Sequence, residues 1–188
     1  MTKSPEYKVI IVGDSAVGKT SIVMRYHRDT YFDDHQATVG ASFITKSIET
    51  KNGKININIW DTAGQEKYRS LVPMYSRNAS AAIIVFDLSD PTSFENMKFW
   101  LDEVRQNVPN DCIIVIVGNK NDLPIAIPKD EAFAWAKSNN LQMVFVSAKE
   151  GIGINELFQT VAELISTSKR IRPITELEPI ESNGNKCC

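Results

Sequence analysis

Eight residues near the start of the chain, "GDSAVGKT", have the types and the spacing of a loop that binds phosphate. They fit the pattern G-x-x-x-x-G-K-[ST], directly after an apolar run typical of a strand. Gly13 and Gly18 permit a tight loop whose N–H groups point at phosphate oxygens, beside the positive end of a helix dipole. Lys19 can place its charge on the β- and γ-phosphates, and the Thr20 hydroxyl is a hard oxygen ligand for Mg²⁺. The motif predicts a nucleoside triphosphate site and leaves the base open.

Two later segments, "GNKND" and "VSAKE", carry groups that select guanine. Each follows an apolar strand run, where a sheet of parallel strands binds its ligands. Asp122 can accept hydrogen bonds from the guanine N1–H and 2-amino groups, whereas adenine would leave that carboxylate unpaired. The Ala148 N–H can donate to guanine O6. The other predicted contacts to the base come from Asn119, which braces the loop, and from Lys120 and Lys149, which cover the two ring faces.

Strands and helices alternate along the chain. Four short apolar runs, "YKVIIVG", "AAIIVFD", "CIIVIVGN" and "QMVFVSA", are typical of strands buried on both faces. Amphipathic stretches predict helices, most clearly over residues 92–107, with Asp90 as the N-cap, and over residues 154–167. Alternation on both sides of Asn52-Gly53 predicts an antiparallel hairpin. The predicted fold is α/β: a doubly wound P-loop fold with a mostly parallel six-stranded sheet, one antiparallel edge hairpin and about five helices.

With 188 residues, 43% of them hydrophobic and 23% charged, the chain has the composition of one globular domain. We assign residues 7–167 to this domain, residues 1–6 to a flexible N-terminus and residues 168–188 to a flexible tail. The net charge of −2 argues against nucleic acid as a partner. The chain shows neither an apolar run long enough to span a bilayer nor a secretory or myristoylation signal. Cys112, in an apolar run, is predicted to lie in the core.

The motifs "GDSAVGKT", "QATVGASF" with its Thr38, "WDTAGQE", "GNKND" and "VSAK" occur in the order and spacing of the Ras superfamily of small GTPases. The resemblance covers roughly residues 7–167. It is close to the Rab family in particular, on "TVGASF", "WDTAGQEKYRS" and the terminal "CC". Within that family, Ala16, Ala41 and "SLVPMY" are most similar to the early-endosomal branch.

This resemblance implies an enzyme that converts GTP and water to GDP and phosphate, with Mg²⁺ as its cofactor. Gln65 would be catalytic, because it would orient the attacking water. Thr20 and Thr38 would bind Mg²⁺ through their hydroxyls, and Asp61 would hold it through a water. The residues expected to contact GTP or GDP are Ser15, Ala16, Val17, Gly18, Lys19, Thr20, Ser21, Tyr31, Phe32, Asp33, Thr38, Gly64, Asn119, Lys120, Asp122, Ser147, Ala148 and Lys149.

The resemblance also implies a monomeric switch with protein partners: a nucleotide exchange factor, a GTPase-activating protein and effectors. No arginine stands out as a built-in transition-state finger, so unaided hydrolysis should be slow. Strand alternation puts Phe43 and Trp60 on the polar faces of the hairpin, which indicates either a partner-binding patch or packing under a loop or helix. The resemblance favours the patch, because Phe43, Trp60 and Tyr75 match the aromatic triad that Rab effectors contact.

The last two residues, Cys187 and Cys188, correspond in Rab proteins to a doubly geranylgeranylated pair. One lipid chain gives only marginal membrane binding, and a stable anchor takes a second signal. Residues 169–188 contain four basic and three acidic side chains, so their net positive charge is too small to be that second signal. We therefore expect a second lipid. The partners implied are the prenylation machinery and a lipid-shielding carrier. The expected place is the cytoplasmic face of an intracellular membrane, the early endosome for this branch, in exchange with the cytosol, with roles in vesicle-mediated protein transport and endocytosis.

Two other functions stay open at the level of the sequence. One is a GTP-dependent binding protein with negligible intrinsic hydrolysis, which a time course of phosphate release would separate from a GTPase. The other is an ATP-using P-loop phosphotransferase. Competition between GTP and ATP tests that alternative, and Asp122 predicts that ATP loses.

Overall fold

The structure is a computed structural model that describes residues 4–31, 41–62 and 72–174. Several predicted functional residues lie outside these ranges, namely Phe32, Asp33, Thr38, Gly64, Gln65, Cys187 and Cys188.

Six strands in the described residues form one sheet in the order β2-β3-β1-β4-β5-β6. Only the β2–β3 pair is antiparallel, and the neighbouring pairs from β3 to β6 are parallel. The predicted α/β fold, with its antiparallel edge hairpin, is confirmed. The strands are β1 Glu6–Gly13, β2 Ala41–Thr50, β3 Gly53–Thr62, β4 Ala81–Asp87, β5 Ile113–Asn119 and β6 Gln142–Phe145.

Five helices occur in the same residues, as the sequence predicts, and they cover both faces of the sheet. The predicted cap of the third helix is present, because Oδ1 of Asp90 accepts a hydrogen bond from the Thr92 N–H at 2.9 Å. None of these helices has the length and apolar character needed to cross a membrane. Their bounds are α1 Lys19–Arg28, α2 Val72–Ser76, α3 Pro91–Asn107, α4 Lys129–Ser138 and α5 Ile154–Thr167.

Alternate residues of each central strand enter two separate cores. In β1, Val9 and Ile11 contact the core under α1 and α5, whereas Ile10 and Val12 contact the core under α2, α3 and α4. The inner face of α5 is buried in the first core. The second core contains Trp100 of α3, which is 1% exposed. This layering leaves the carboxyl ends of the parallel strands as the edge where a ligand binds.

The prediction for Cys112 is only partly right. The residue is half-buried and packs at the margin of the second core. Burial, with a smaller contribution from Asp111, raises the pKa of its thiol to about 12. A thiol with this pKa stays protonated at neutral pH.

One of the seven described residues after α5 packs against the domain. Ile171 is half-buried and packs against the first core. This contact places the start of the predicted tail beside the face of the sheet that α1 and α5 cover.

Candidate functional site

The predicted phosphate loop connects β1 to α1. Lys19 opens the helix, and its ammonium donates hydrogen bonds to the carbonyl of Gly13 at 2.9 Å and to the carbonyl of Asp14 at 2.6 Å. The residue is 5% exposed. Burial lowers the pKa of Lys19 to about 8, against the opposing effect of Asp61 and Asp14. The loop therefore holds a buried ammonium beside the opening N–H groups of a helix, which is an arrangement that favours an anion.

Both glycines of this loop are required by its geometry. Gly13 has φ +142°, and a Cβ there would lie 2.3 Å from the carbonyl oxygen of Val85. Gly18 has φ +95°, and a Cβ there would lie 2.3 Å from Nδ2 of Asn119. A side chain at either position would collide with a strand or a loop that belongs to the same site.

The hydroxyl of Thr20 donates a hydrogen bond to Oδ2 of Asp61 at 2.7 Å. Asp61 lies near the end of β3, is fully buried, and pairs in register with Ile11 of β1. A hydroxyl oxygen and a carboxylate oxygen this close, beside a phosphate loop, are donors that fit Mg²⁺. No group of three or more His, Cys, Asp or Glu side chains suited to a metal occurs in the described parts of the chain. The donor set therefore fits a metal shared with phosphate, as the resemblance implies, and not an all-protein cage.

Asn119, at the end of β5, joins the predicted base segments to the phosphate loop. Its Nδ2 donates to the carbonyl of Val17 at 2.8 Å, and its Oδ1 accepts from the Ala148 N–H at 3.1 Å. Asn119 is buried, and both bonds span loops that are distant in sequence. We expected the Ala148 N–H to donate to guanine O6. With guanine bound, this N–H would donate to both O6 and Oδ1 of Asn119.

Asp122 and Ser147 are brought together at the same edge. The Ser147 hydroxyl donates to Oδ1 of Asp122 at 2.5 Å and accepts from the Glu150 N–H at 3.0 Å. Ser147 is fully buried, and its backbone pairs with Ile152. A carboxylate oriented in this way is suited to accept from the N1–H and 2-amino groups of guanine.

The ammonium of Lys120 lies 2.6 Å from Oδ2 of Asp87, a residue that the sequence did not indicate. Asp87 ends β4 and is in register with Asn119 on β5. Burial acts to raise the pKa of Asp87, but hydrogen bonds from Lys120 and Ser89 outweigh it and leave that pKa below its usual value. The pair orients the stem of Lys120 beside the predicted base site.

A second group that the sequence did not indicate fixes the phosphate loop to α3. The Asp14 carboxylate accepts from Nδ2 of Asn96 at 2.6 Å and from the Trp100 indole N–H at 2.8 Å. Neither donor has a motif, and both lie more than 80 residues away along the chain. The contact depends on the docking of α3 against β4, which no local pattern shows.

The structure also locates the remaining predicted nucleotide residues that it describes. Val17 and Ser21 are buried, Tyr31 is half-buried against the first core, and Ser15, Ala16 and Lys149 are exposed. Ser15, Ala16 and Val17 lie on the phosphate loop and Ser21 on α1, whereas Tyr31 follows α1 and Lys149 follows β6.

Phe43, Trp60 and Tyr75 form a contiguous group, here called the aromatic patch. The ring centroids of Phe43 and Trp60 are 5.4 Å apart, and those of Trp60 and Tyr75 are 6.3 Å apart. Phe43 is 52% exposed, whereas Trp60 is half-buried and also packs against the second core. The ammonium of Lys8 lies 4.8 Å from the centroid of the Trp60 ring. Trp60 is thus partly packed, and its part in a partner-binding patch stays a prediction.

Comparison with known proteins gives the chain its family. The sequence model of the Ras family matches residues 8–167. The Ras-related protein Rab-5B of Plasmodium falciparum is 38% identical over 159 residues, which are 84% of this chain and 77% of that protein. Two fission yeast proteins from Schizosaccharomyces pombe are similar as well. The GTP-binding protein ypt5 is 40% identical over 87% of this chain and 80% of its own length, and the GTP-binding protein ypt3 is 41% identical over 82% and 73%.

These matches confirm the resemblance found in the motifs, and the names Rab-5B and ypt5 favour the branch that the sequence indicated. They cover the phosphate loop and the base segments, which lie at the carboxyl ends of the parallel strands, and the hairpin β2–β3 at the side of the sheet. The chain belongs to the Ras family and is a small GTPase of the Rab group, which hydrolyses GTP to GDP.

Proposed function

We propose that the protein is a guanine-nucleotide switch that binds GTP or GDP with Mg²⁺, hydrolyses GTP slowly, and recruits effectors that regulate vesicle traffic at an endosomal membrane. The observation that carries this proposal is the double contact of Asn119. One side chain bonds the phosphate loop and the base loop together, so Lys19 and Asp122 belong to one site. A site of that form binds a base and its phosphates at once, which is what a nucleotide switch requires.

The base end of this site selects guanine. The Asp122 carboxylate accepts from the two donors on the Watson–Crick edge of guanine, and adenine would leave it without them. Lys120, oriented by Asp87, lays its stem along the base. Competition between GTP and ATP for the purified protein tests this assignment. We expect the protein to bind GTP in preference to ATP when the two nucleotides compete. Equal competition would contradict the assignment and would favour an ATP-using phosphotransferase.

The phosphate end of the site positions the reacting groups. Lys19 exchanges its bonds to the Gly13 and Asp14 carbonyls for bonds to the β- and γ-phosphates. Thr20, Thr38 and Asp61 would hold Mg²⁺, the last through a water. When bound, the metal supplies positive charge that neutralises the charge developing on the phosphate oxygens.

Gln65 orients the attacking water in this mechanism. The water oxygen forms a bond to the γ-phosphorus, the bond from that phosphorus to the β–γ bridging oxygen breaks, and GDP leaves with the bonding pair, while both water hydrogens end on the inorganic phosphate. A single-turnover measurement of phosphate release tests the role. Gln65→Leu should slow release while GTP binding persists, and an unchanged rate would remove Gln65 from the reaction. Negligible release by the unchanged protein would favour a GTP-dependent binding protein.

Slow hydrolysis suits a signal that a partner reads. Thr38 and Gly64 would contact the γ-phosphate and release their loops when it is cleaved. Phe43 and Trp60 of the aromatic patch lie on the hairpin whose strands adjoin these loops in the sequence, Tyr75 lies on α2, and Phe43 is exposed. Affinity capture from cell extract on protein loaded with a GTP analogue, compared with GDP-loaded protein, tests the switch. Equal capture by the two forms would contradict it.

The tail would attach the switch to its membrane through geranylgeranyl groups on Cys187 and Cys188, with a carrier that shields them between membranes. Support comes from the terminal pair itself and from the names of the relatives, which favour an endosomal membrane. Deleting both cysteines should move the protein from the membrane to the soluble fraction of cells and leave GTP binding unchanged. Continued sedimentation with membranes would refute the anchor.

A further inference from the structure

Arg25, in the middle of α1, bonds the loop that follows β6. Its Nε donates a hydrogen bond to the Ala148 carbonyl at 2.9 Å, and its Nη2 donates to the Lys149 carbonyl at 2.6 Å. The third nitrogen, Nη1, faces Asp29 and lies 3.2 Å from its carbonyl oxygen and 3.3 Å from its carboxylate. Only 18% of the Arg25 side chain is exposed. The guanidinium is therefore largely buried and forms a fork, in which two nitrogens donate hydrogen bonds to the carbonyls of two successive residues in one loop.

This fork holds the Ala148 peptide groups from the side opposite to Asn119. The Ala148 N–H donates to the side chain of Asn119, and the Ala148 carbonyl accepts from Arg25. Gly151 completes the turn with φ +72°, and a Cβ there would stand 3.6 Å from Cδ of Arg25. Two donors in a rigid plane set both the position and the tilt of the loop, which one flexible donor cannot do.

The same helix carries the phosphate-binding residues. Lys19 and Thr20 form the first turn of α1, and Arg25 lies in the turn that follows. A single rigid helix thus contacts the phosphate end of the site with its start and the base end with its middle. The distance between the two ends depends on the helix and on Arg25, since Arg25 and Ala148 lie 123 residues apart along the chain.

We propose that Arg25 is a positioning residue of the base site: it holds residues 147–150 in the orientation that binds guanine and thereby slows nucleotide release. This inference rests on the proposed guanine site and names a group that maintains it. The ligand contacted by this loop is the O6 edge of the base, next to the Ala148 N–H. Loss of the two bonds from Arg25 leaves the Ala148 N–H held by Asn119 alone and the Lys149 backbone without its donor, while Asp122 keeps its bond to Ser147.

Release of GDP measures the effect. A fluorescent GDP is loaded onto the full chain and chased with an excess of unlabelled GDP. Because Arg25→Ala removes two charge-assisted bonds to the loop, we expect release to be about 10-fold faster. Arg28→Ala is the matched control, since it removes the same charge from an exposed position of the same helix, and it should leave the release rate unchanged.

A change in base preference separates positioning from a general loss of stability. The diphosphate of 6-thioguanosine keeps the N1–H and 2-amino donors that Asp122 reads and replaces O6 by sulfur, which is a weaker hydrogen-bond acceptor. We expect Arg25→Ala to lower the ratio of the GDP affinity to the affinity of this analogue, because O6 loses an oriented donor. A variant that is merely less stable would bind both nucleotides more weakly by the same factor and keep the ratio.

Arg25→Lys carries the test further and replaces Arg25→Ala if that variant does not fold. Lysine keeps the charge but bonds the carbonyls without the planar fork, so we expect release between that of the unchanged protein and about 10-fold faster. Unchanged release and an unchanged affinity ratio in these variants would overturn the inference. If the unchanged protein binds GDP no better than ADP, the proposed guanine site itself is wrong, and that result is distinct from the first.

Discussion

The side-chain amide of Asn119 donates a hydrogen bond to the Val17 carbonyl at 2.8 Å and stands where a Cβ on Gly18 would be. Gly18 and Asn119 lie 101 positions apart in two different motifs, and their close approach explains the residue type at each position. The Asn119 amide reaches the phosphate loop because Gly18 has no side chain in its way. The Val17 carbonyl needs this donor because its segment does not pair with a strand. The contact couples the base end of the site to the phosphate end.

Gly18→Ala should therefore disturb the base segment as well as the phosphate loop. The new Cβ would lie 2.3 Å from the Asn119 amide, and moving that amide breaks its bond to Val17. We expect a loss of folding stability of about 1 to 3 kcal/mol from crowding, added to the cost of the backbone conformation, together with a lower GDP affinity.

Gly53→Ala provides the control for that substitution. Gly53 has φ +112°, but no atom lies within 4 Å of its added Cβ. Gly53→Ala should lower the free energy of unfolding only through its strained backbone conformation, by about 1 to 3 kcal/mol. It should leave GDP affinity unchanged. Urea denaturation and a GDP titration give both quantities, and equal effects of the two substitutions on GDP affinity would refute the coupling.

The bond from the Trp100 indole to the Asp14 carboxylate should stabilise the phosphate loop against α3. Trp100→Phe removes the donor and leaves a charged acceptor half-buried, so we expect a loss of about 1 to 3 kcal/mol in the free energy of unfolding. Trp135→Phe is the comparison, because that indole is half-buried in the same core and packs edge-on against Phe94. Equal losses in the two variants, measured in urea, would assign the effect to packing alone.

Lys19 should make the stability of the nucleotide-free protein depend on pH. Burial lowers its pKa from 10.5 to about 8 in the folded protein, so between these values the unfolded chain binds more protons. The free energy of unfolding should rise from pH 8 toward 10.5 through this group. Lys19→Met should remove that rise, and the difference between the two proteins isolates Lys19 from other groups that titrate there. A difference that does not vary with pH would contradict the shift.

Trp60→Ala should abolish effector capture by the GTP-loaded protein while nucleotide affinity is kept. The ring links Phe43 and Tyr75, and truncation of such a central aromatic costs about 2 kcal/mol or more of binding, which is a loss of roughly 30-fold or more in affinity. Phe133→Ala, which removes a 53% exposed aromatic on α4, should leave capture intact. Capture is compared by quantifying the proteins retained on immobilised variants, and equal retention by Trp60→Ala would remove the patch from effector binding.

The sequence determined the elements and the chemistry that each loop carries. Strand runs buried on both faces, the alternation around Asn52-Gly53 and the cap at Asp90 are local patterns, and local patterns specify the local backbone. Gly13, Lys19 and Asp122 were found because a phosphate or a guanine edge demands certain residue types at certain spacings. None of these inferences required knowledge of which parts of the chain touch.

Only the tertiary structure decided which distant residues meet in the site. Arg25 on the Ala148 carbonyl, Asp14 on Trp100 and Lys120 on Asp87 join segments with no shared motif. No sequence pattern predicts these three pairings. They arise from strand order and helix docking, which bring segments that are distant along the chain to one edge of the sheet. The physical reason is that a motif records what a ligand requires of one loop, whereas the positions of loops relative to one another are set by the packing of the whole domain.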